Sequence, residues 1–152
     1  MSKTLLYLHK FIYLLKQIRI PIIPFLLNRI FIRLLFGCQL GTGTKIGNNV
    51  ILGYGGLGIV IHERAVIGNN VIIGSGVTIG GTTKKWEVPV IGNNSIISTG
   101  AKILGPIKIG SNCVVGANAV VLDNIPDNCV AVGVPARVIK RGIDISDYRT
   151  LI

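Results

Sequence analysis

A six-residue repeat runs through most of this 152-residue sequence and restricts its fold more than any other feature. In each repeat an aliphatic residue is usually followed by glycine or another small residue. The aliphatic repeat positions are Ile46, Leu52, Ile61, Ile67, Ile73, Ile79, Ile91, Ile97, Ile103, Ile109, Val115 and Val121. Such a period predicts one short strand and one corner per repeat, with the aliphatic side chains stacked inside. The sequence therefore predicts an all-β solenoid.

The corner chemistry agrees with that prediction. Gly-Asn-Asn recurs at 47–49, 68–70 and 92–94, and these residue types tolerate the left-handed backbone angles that corners need. Two insertions interrupt the period, one within 53–60 and a longer one within 81–90. The first contains GYGGLG, which looks like a dinucleotide fingerprint but lacks the surrounding βαβ pattern.

The first 36 residues predict a short helical appendage. Aliphatic residues recur every three or four positions from Leu5 to Ile18, which is typical of an amphipathic helix. Pro21 and Pro24 are expected to end it, and residues 24–36 can form a second helix. No uncharged run reaches the roughly 18–20 residues of a membrane span, and no signal-peptide cleavage site follows.

We therefore divide the chain into an amphipathic appendage (1–36), a β-helix domain (37–141) and a tail (142–152). The appendage carries six Lys or Arg and no acidic residue. Two roles are open for it, and they are not exclusive. Its helices cap the open end of the β-helix and pack on neighbouring subunits, or they lie on the anionic inner face of a membrane.

A net charge of +10 suits nucleic acid, an anionic membrane or a phosphate-bearing ligand. We expect no nucleic-acid partner, because no recognised binding motif accompanies the charge. Cys38, Cys113 and Cys129 lack CxxC spacing and suit buried positions in a reducing cytosol. With only two histidines, His9 and His62, we also expect no metal site.

Several motifs, in order, resemble the hexapeptide-repeat acyltransferases, and most closely the serine acetyltransferase branch. They are VTIGGT at 77–82, GAKILG at 100–105, IGSNCVVGANAVVL at 109–122 and VAVGVPARVIK at 130–140. The resemblance implies a left-handed parallel β-helix in which three hexads close a triangular coil of about eighteen residues. It also implies a homotrimer, acetyl-CoA as donor and a small hydroxyl-bearing acceptor. The short appendage replaces the helical domain of true serine acetyltransferases, and this size resembles the compact acetyltransferases of surface-polysaccharide gene clusters.

The resemblance also implies where CoA binds. In the family the pantetheine arm follows a groove between coils of adjacent subunits and contacts backbone at small-residue corners. The matching positions are Gly81, Thr82, Thr99, Gly100, Gly116 and Ala117. Arg137 and Lys140 match the part that meets the nucleotide end, where two cations suit phosphates. The alternative is that the small residues only build corners and that Arg137 is a solvated end residue.

The catalytic residues of the family are replaced. In serine acetyltransferases a histidine held by an aspartate takes the acceptor proton, and a second histidine lies on the loop. Here Tyr54 stands at the main histidine position, Gln39 at the aspartate and Val88 at the loop histidine. Glu87 replaces the arginine that recognises the serine carboxylate, and Gly53 replaces an acidic residue. L-Serine is therefore the alternative acceptor rather than the preferred one.

Two other residues are candidates for the chemistry. His62 lies one coil before Gly80, so its ring is expected beneath the Gly80–Gly81 corner, where a neutral imidazole suits a general base. The alternative is a structural corner histidine packed on Glu63. Tyr54 is the second catalytic candidate, as a hydrogen-bond donor to the acceptor or the thioester oxygen. His9 is expected to be structural.

The insertion over 83–89 is expected to leave the β-helix as a loop and to contact the acceptor through Trp86 and Glu87. The only tryptophan, Trp86, suits stacking on a sugar or, alternatively, filling the trimer interface. We therefore predict an acetyl-CoA-dependent O-acetyltransferase acting on a sugar or glycan precursor. Serine acetylation and a non-catalytic assembly role are the alternatives. We expect a cytoplasmic protein, with peripheral association at the inner membrane face as a further alternative.

Overall fold

The computed structural model describes residues 2–18 and 22–149, and its repeat region is a parallel β-helix. The strands are β1 (Gln39–Leu40), β2 (Lys45–Ile46), β3 (Ile51–Leu52), β4 (Val60–Ile61), β5 (Val66–Ile67), β6 (Ile72–Ile73), β7 (Thr78–Gly80), β8 (Val90–Ile91), β9 (Ile96–Ile97), β10 (Lys102–Leu104), β11 (Lys108–Ile109), β12 (Val114–Val115), β13 (Val120–Val121), β14 (Cys129–Gly133) and β15 (Ala136–Arg141). Each strand is short because a corner follows almost every hexad, as the repeat predicts.

Every third strand stacks in the same sheet, so the chain winds around three faces. Sheet 1 contains β1, β4, β7, β10 and β13; sheet 2 contains β2, β5, β8 and β11; sheet 3 contains β3, β6, β9, β12, β14 and β15. Four complete coils result, and a fifth has only a bridge at Ile125 on its second face. The predicted β-helix with a short helical appendage is confirmed.

The repeat positions form the core. Ile61, Ile79 and Ile103 pair across successive coils of sheet 1 and are at most 1% exposed. Burying one such side chain contributes about 1.5–3 kcal/mol. Ile46 differs, since it is only half-buried in the first coil, where it lines an open groove against the first helix.

We number the corners by the sheets that they join: the first joins sheets 1 and 2, the second sheets 2 and 3, and the third leads to the next coil. An amide ladder runs along the second corner. Asn49, Asn70, Asn94, Asn112 and Asn128 all have φ between 54° and 58°. The amide nitrogen of each of the first four donates to the amide oxygen one coil further on, over 2.9–3.2 Å. The ladder fixes the stacking of all five coils at this edge.

Three helices precede the β-helix: α1 (Ser2–Gln17), α2 (Ile23–Leu27) and a π-helix (Asn28–Leu35). The second helix predicted over 24–36 is therefore split in two, and Pro21 lies outside the described residues. Leu5 and Ile12 of α1 are fully buried against the first coil. His9 is buried between them, and its Nε2 lies 3.1 Å from the Thr44 carbonyl oxygen. Burial lowers the pKa of His9, so its ring is neutral and structural.

Both ends of the β-helix are covered. At the first coil, Asn28 of the π-helix donates from Nδ2 to the Leu40 carbonyl oxygen over 2.6 Å. At the last coil, β15 turns back and pairs antiparallel with β14. The following residues form a 3-10 turn (Ile145–Tyr148), where Ser146 N–H donates to the Asp144 carboxylate over 2.8 Å and lowers the pKa of Asp144.

The amide ladder makes a testable contribution to stability. Asn94→Ala should lower the free energy of unfolding by about 2–4 kcal/mol, since it removes two amide hydrogen bonds and leaves alanine in a left-handed conformation. Asn94→Gly relieves the backbone and should cost only about 1–2 kcal/mol. Urea titration followed by circular dichroism measures both. Equal losses for the two variants would contradict the backbone part of this account.

Candidate functional site

His62 lies at the first corner, one coil below Gly80, because Ile61 pairs with Ile79. Its backbone is fixed on both sides. The His62 N–H donates to the Ile79 carbonyl oxygen over 2.9 Å, and its own carbonyl oxygen accepts from Thr44 Oγ1 over 3.0 Å. The predicted placement of His62 beneath the Gly80–Gly81 corner therefore agrees with the strand register, while its catalytic role stays a prediction.

A second hydrogen bond sets the state of the His62 ring. The backbone N–H of Arg64 donates to Nδ1 over 3.1 Å. An N–H donor requires a free lone pair, so the neutral ring carries its proton on Nε2. In this arrangement Nε2 carries an N–H, whereas the general base predicted from the sequence needs a lone pair there.

The insertion over 83–89 leaves the β-helix at the first corner, between β7 and β8, and Arg64 holds it. The Arg64 side chain donates from Nε and Nη2 to the Trp86 carbonyl oxygen, over 3.2 and 2.7 Å. Its guanidinium carbon also lies 4.0 Å from the centre of the Trp86 ring, a cation–π distance. The Trp86 side chain remains exposed, at 74%, so it is available to a ligand or a neighbouring chain.

The sequence did not single out Arg64. The one indication of its position is the strand register. Strand β5 follows Arg64, strand β8 follows the loop, and these two strands pair. That register places Arg64 one coil below the loop, but it does not reveal where a long side chain points.

Two replacements of the family residues differ in their surroundings. Glu87 is exposed, as is Trp86. Val88 is buried, and a Cβ placed on Gly81 would lie 3.2 Å from its Cγ1. The residue at the loop-histidine position therefore packs on the β-helix and does not extend from it.

Tyr54 lies at the third corner of the first coil. It occupies a left-handed backbone conformation (φ 49°, ψ 37°) within Gly53–Gly56, and its side chain is 82% exposed. Strand β4 separates this corner from His62, so the two catalytic candidates lie at opposite edges of sheet 1.

The predicted CoA-binding residues also divide between these edges. Gly81 and Thr82 lie at the first corner, near His62. At the third corner, Thr99 and Gly100 in one coil stack beneath Gly116 and Ala117 in the next, with Asn118 N–H donating to the Thr99 carbonyl oxygen over 3.0 Å. Small residues keep backbone accessible at both edges.

Arg137 and Lys140 belong to β15, beyond the last coil. Arg137 pairs with Asp123, with Nη1 3.4 Å from Oδ2, and both side chains are largely exposed. Arg137, Asp123 and Arg141 line a surface depression of about 330 Å³, and Lys140 lies outside its lining. Exposed ion pairs contribute little to stability, so an anionic ligand can displace Asp123 at small cost.

Comparison with known proteins identifies a consistent set of relatives. The family described as Bacterial transferase hexapeptide (six repeats) matches residues 89–123. A serine acetyltransferase of Synechococcus elongatus is 41% identical over 135 residues, which are 88% of this chain and 54% of that protein.

Two solved structures extend the comparison. A serine acetyltransferase structure from Neisseria gonorrhoeae matches with a TM-score of 0.88 and 31% identity, over 99% of this chain and 60% of the other. One from Brucella abortus, in complex with coenzyme A, matches with a TM-score of 0.86 and 32% identity, over 91% and 56%. The chain thus spans somewhat more than half the length of these relatives.

The contact between Arg64 and the loop can be tested with the single tryptophan. Arg64→Lys keeps the charge but cannot form the paired hydrogen bonds to the Trp86 carbonyl, so Trp86 should gain rotational freedom. Time-resolved fluorescence anisotropy should show a larger fast component than in the wild type. Lys85→Ala, also on the first-corner side, is the matched control and should leave the decay unchanged. An unchanged decay in Arg64→Lys would show that Arg64 does not hold the loop.

Proposed function

The chain belongs to the hexapeptide-repeat transferases, on the serine acetyltransferase-like branch, and we propose that it transfers an acetyl group from acetyl-CoA to the hydroxyl of a small acceptor. The observation that carries this proposal is the match over 91% of the chain to a relative in complex with coenzyme A. The small-residue corners and the cations beyond the last coil supply matching chemistry for such a ligand.

The division of the CoA-binding residues between two corners supports a homotrimer. Gly81 and Thr82 lie at one edge of sheet 1 and Gly100 and Ala117 at the other, so a groove that uses both sets needs a second copy of the chain. In a cyclic trimer, the first corner of one subunit meets the third corner of the next. The pantetheine arm would lie in that groove, and Arg137 and Lys140 would bind its phosphates.

The same assembly brings the catalytic candidates together. His62 of one subunit then faces the corner that carries Tyr54 in the next. Tyr54 has a freely accessible hydroxyl that can donate to the acceptor or to the thioester oxygen. The loop with Trp86 and Glu87 borders the same groove and can contact the acceptor.

L-Serine is the acceptor that the comparisons favour, because the relatives are serine acetyltransferases. The loop residues favour a second candidate, a sugar. Glu87 and Val88 stand where serine recognition and catalysis are expected, and the exposed Trp86 ring offers an apolar face of the kind that stacks on sugars. Serine acetylation is thus supported by similarity, and sugar acetylation by the loop itself.

Thiol release from acetyl-CoA distinguishes these acceptors. Purified protein should release CoA faster with L-serine than with acetyl-CoA alone, and L-alanine, which lacks the hydroxyl, is the matched control. Nucleotide sugars and oligosaccharides form the second panel, and release with a sugar alone would favour the second candidate. Absence of release with CoA still bound in calorimetry would indicate a non-catalytic assembly role. Absence of CoA binding would contradict the proposed function.

We further propose that the appendage holds the protein at the inner face of a membrane. Tyr7, Phe11 and Leu14 recur along the outer side of α1, and Ile18 follows its last residue. All four are 53–71% exposed, although the opposite side of the helix is buried. Within residues 2–18 and 22–149, no helix is both long and apolar enough to cross a bilayer. An exposed apolar stripe of this kind suits interfacial binding instead.

The charge around this stripe decides between a lipid partner and a second copy of the chain. Lys3, Lys10 and Lys16 are exposed on α1, and no acidic residue lies in this helix. Lys16 is paired with Glu63 of the β-helix, with Nζ 3.8 Å from Oε2, so the unpaired positive charge of the helix is that of Lys3 and Lys10. Two such faces repel each other, whereas anionic lipid attracts the cations and takes up the apolar side chains. Lipid is therefore the better complement.

Vesicle sedimentation tests this association. The protein should sediment with vesicles containing phosphatidylglycerol and remain in solution with phosphatidylcholine alone. Phe11→Ser with Leu14→Ser should weaken sedimentation at least tenfold, because each loses buried apolar area worth about 1–3 kcal/mol. Ile139→Ser, which changes an equally exposed residue on β15, is the control. A change of oligomeric state in the helix variant, without any loss of vesicle binding, would contradict the proposal.

A further inference from the structure

The His62 ring is held in one tautomer by its own corner. Nδ1 accepts the Arg64 N–H over 3.1 Å, and this leaves Nε2 as the protonated nitrogen. Among residues 2–18 and 22–149, no group is hydrogen-bonded to Nε2, and this atom is not buried. The corner therefore presents a single N–H to its surroundings.

The atoms that set this tautomer are themselves fixed. The Arg64 side chain is held by the loop, with its guanidinium against the Trp86 ring and the Trp86 carbonyl oxygen. The His62 carbonyl oxygen accepts from both Thr44 Oγ1 and Ala65 N–H over 3.0 Å. To present a lone pair at Nε2, the ring would have to place its proton on Nδ1 and lose the Arg64 contact. The arrangement thus disfavours a base at Nε2.

The groups around His62 lead to the same conclusion. The neighbouring Glu63 carboxylate pairs with Lys16, with Oε2 3.8 Å from Nζ, and the hydrogen bond found at the His62 ring comes from Arg64 and not from this carboxylate. In the family pattern a carboxylate holds the catalytic base in its proton-accepting tautomer. Here the backbone N–H of Arg64 donates to Nδ1 of His62. This hydrogen bond selects the opposite tautomer, in which Nε2 carries the proton.

We infer that His62 takes part in acetyl transfer as a hydrogen-bond donor, with its Nε2–H directed to the thioester carbonyl oxygen, and that it is not the general base. The inference rests on the proposed function. The location favours it, since His62 lies one coil below the Gly80–Gly81 corner, where Gly81 is predicted to contact CoA. A fixed donor at the developing oxyanion is an effective catalytic device.

The step balances without a protein base. The acceptor hydroxyl oxygen attacks the thioester carbon, a C–O bond forms, and the carbonyl π electrons move to the oxygen that Nε2–H stabilises. When the carbonyl re-forms, the C–S bond breaks and its electron pair leaves with sulfur. The departing thiolate takes the proton of the acceptor hydroxyl, directly or through water. The products are the acetyl ester and free CoA thiol.

Two amide substitutions separate a donor from a base. In His62→Gln the amide N–H can replace Nε2–H, but the side chain is not a base. In His62→Asn the amide oxygen can still accept from Arg64 N–H, but no group remains at the Nε2 position. A donor role predicts that kcat of His62→Gln stays within about tenfold of the wild type, whereas His62→Asn loses about 10²–10³-fold. Equal, large losses in both variants would overturn the donor role.

The tautomer has a readout that does not depend on activity. The chain has two histidines, so ¹⁵N-histidine spectra of the wild type and of His9→Asn assign the His62 ring directly. For the neutral ring, a protonated Nε2 and an unprotonated Nδ1 are expected, and the reverse pattern would overturn the inference. If the wild type releases no thiol with any acceptor, the proposed function fails and the catalytic role of His62 fails with it. Activity with the reverse tautomer overturns the inference alone.

Discussion

The structure depends on the registration of one coil upon the next, and the amide ladder at the second corner enforces it. Five asparagines adopt the same left-handed conformation, and their side chains join every coil from the first to the last. Because each rung fixes the corner, the strands on either side stack their aliphatic residues inward without slipping. The positions of His62 below Gly80 and of Arg64 below the loop both follow from this registration.

The sequence was sufficient to predict most of the fold, because the repeat specifies both the inward residue and the corner. The regions that it left open are those where one contact, rather than a period, decides the structure. The π-helix over Asn28–Leu35 follows α2 within a stretch that reads as one helix. There the Asn28 side chain donates a hydrogen bond to the Leu40 carbonyl oxygen at the edge of β1, and no local sequence pattern predicts that bond.

The candidate site was predictable in its residues more than in its arrangement. The spacing placed His62 one coil from Gly80, but it could not show that the Arg64 N–H selects the ring tautomer. Likewise, the motifs named the small residues at the corners, yet only the fold shows that they lie at two edges of sheet 1. Side chains such as Arg64, which cross from one coil to the next, carry no signature in a single sequence.

The closure of both ends bears on how this protein behaves in solution at high concentration. A stack of parallel strands ends in rows of unpaired N–H and C=O groups. Further strands can pair with these groups, and fibres then grow. Asn28 occupies one such carbonyl on β1, and the reversed β15 meets the other end with the wrong polarity for parallel addition. Both contacts oppose end-to-end addition of further copies, so the length of the solenoid stays finite.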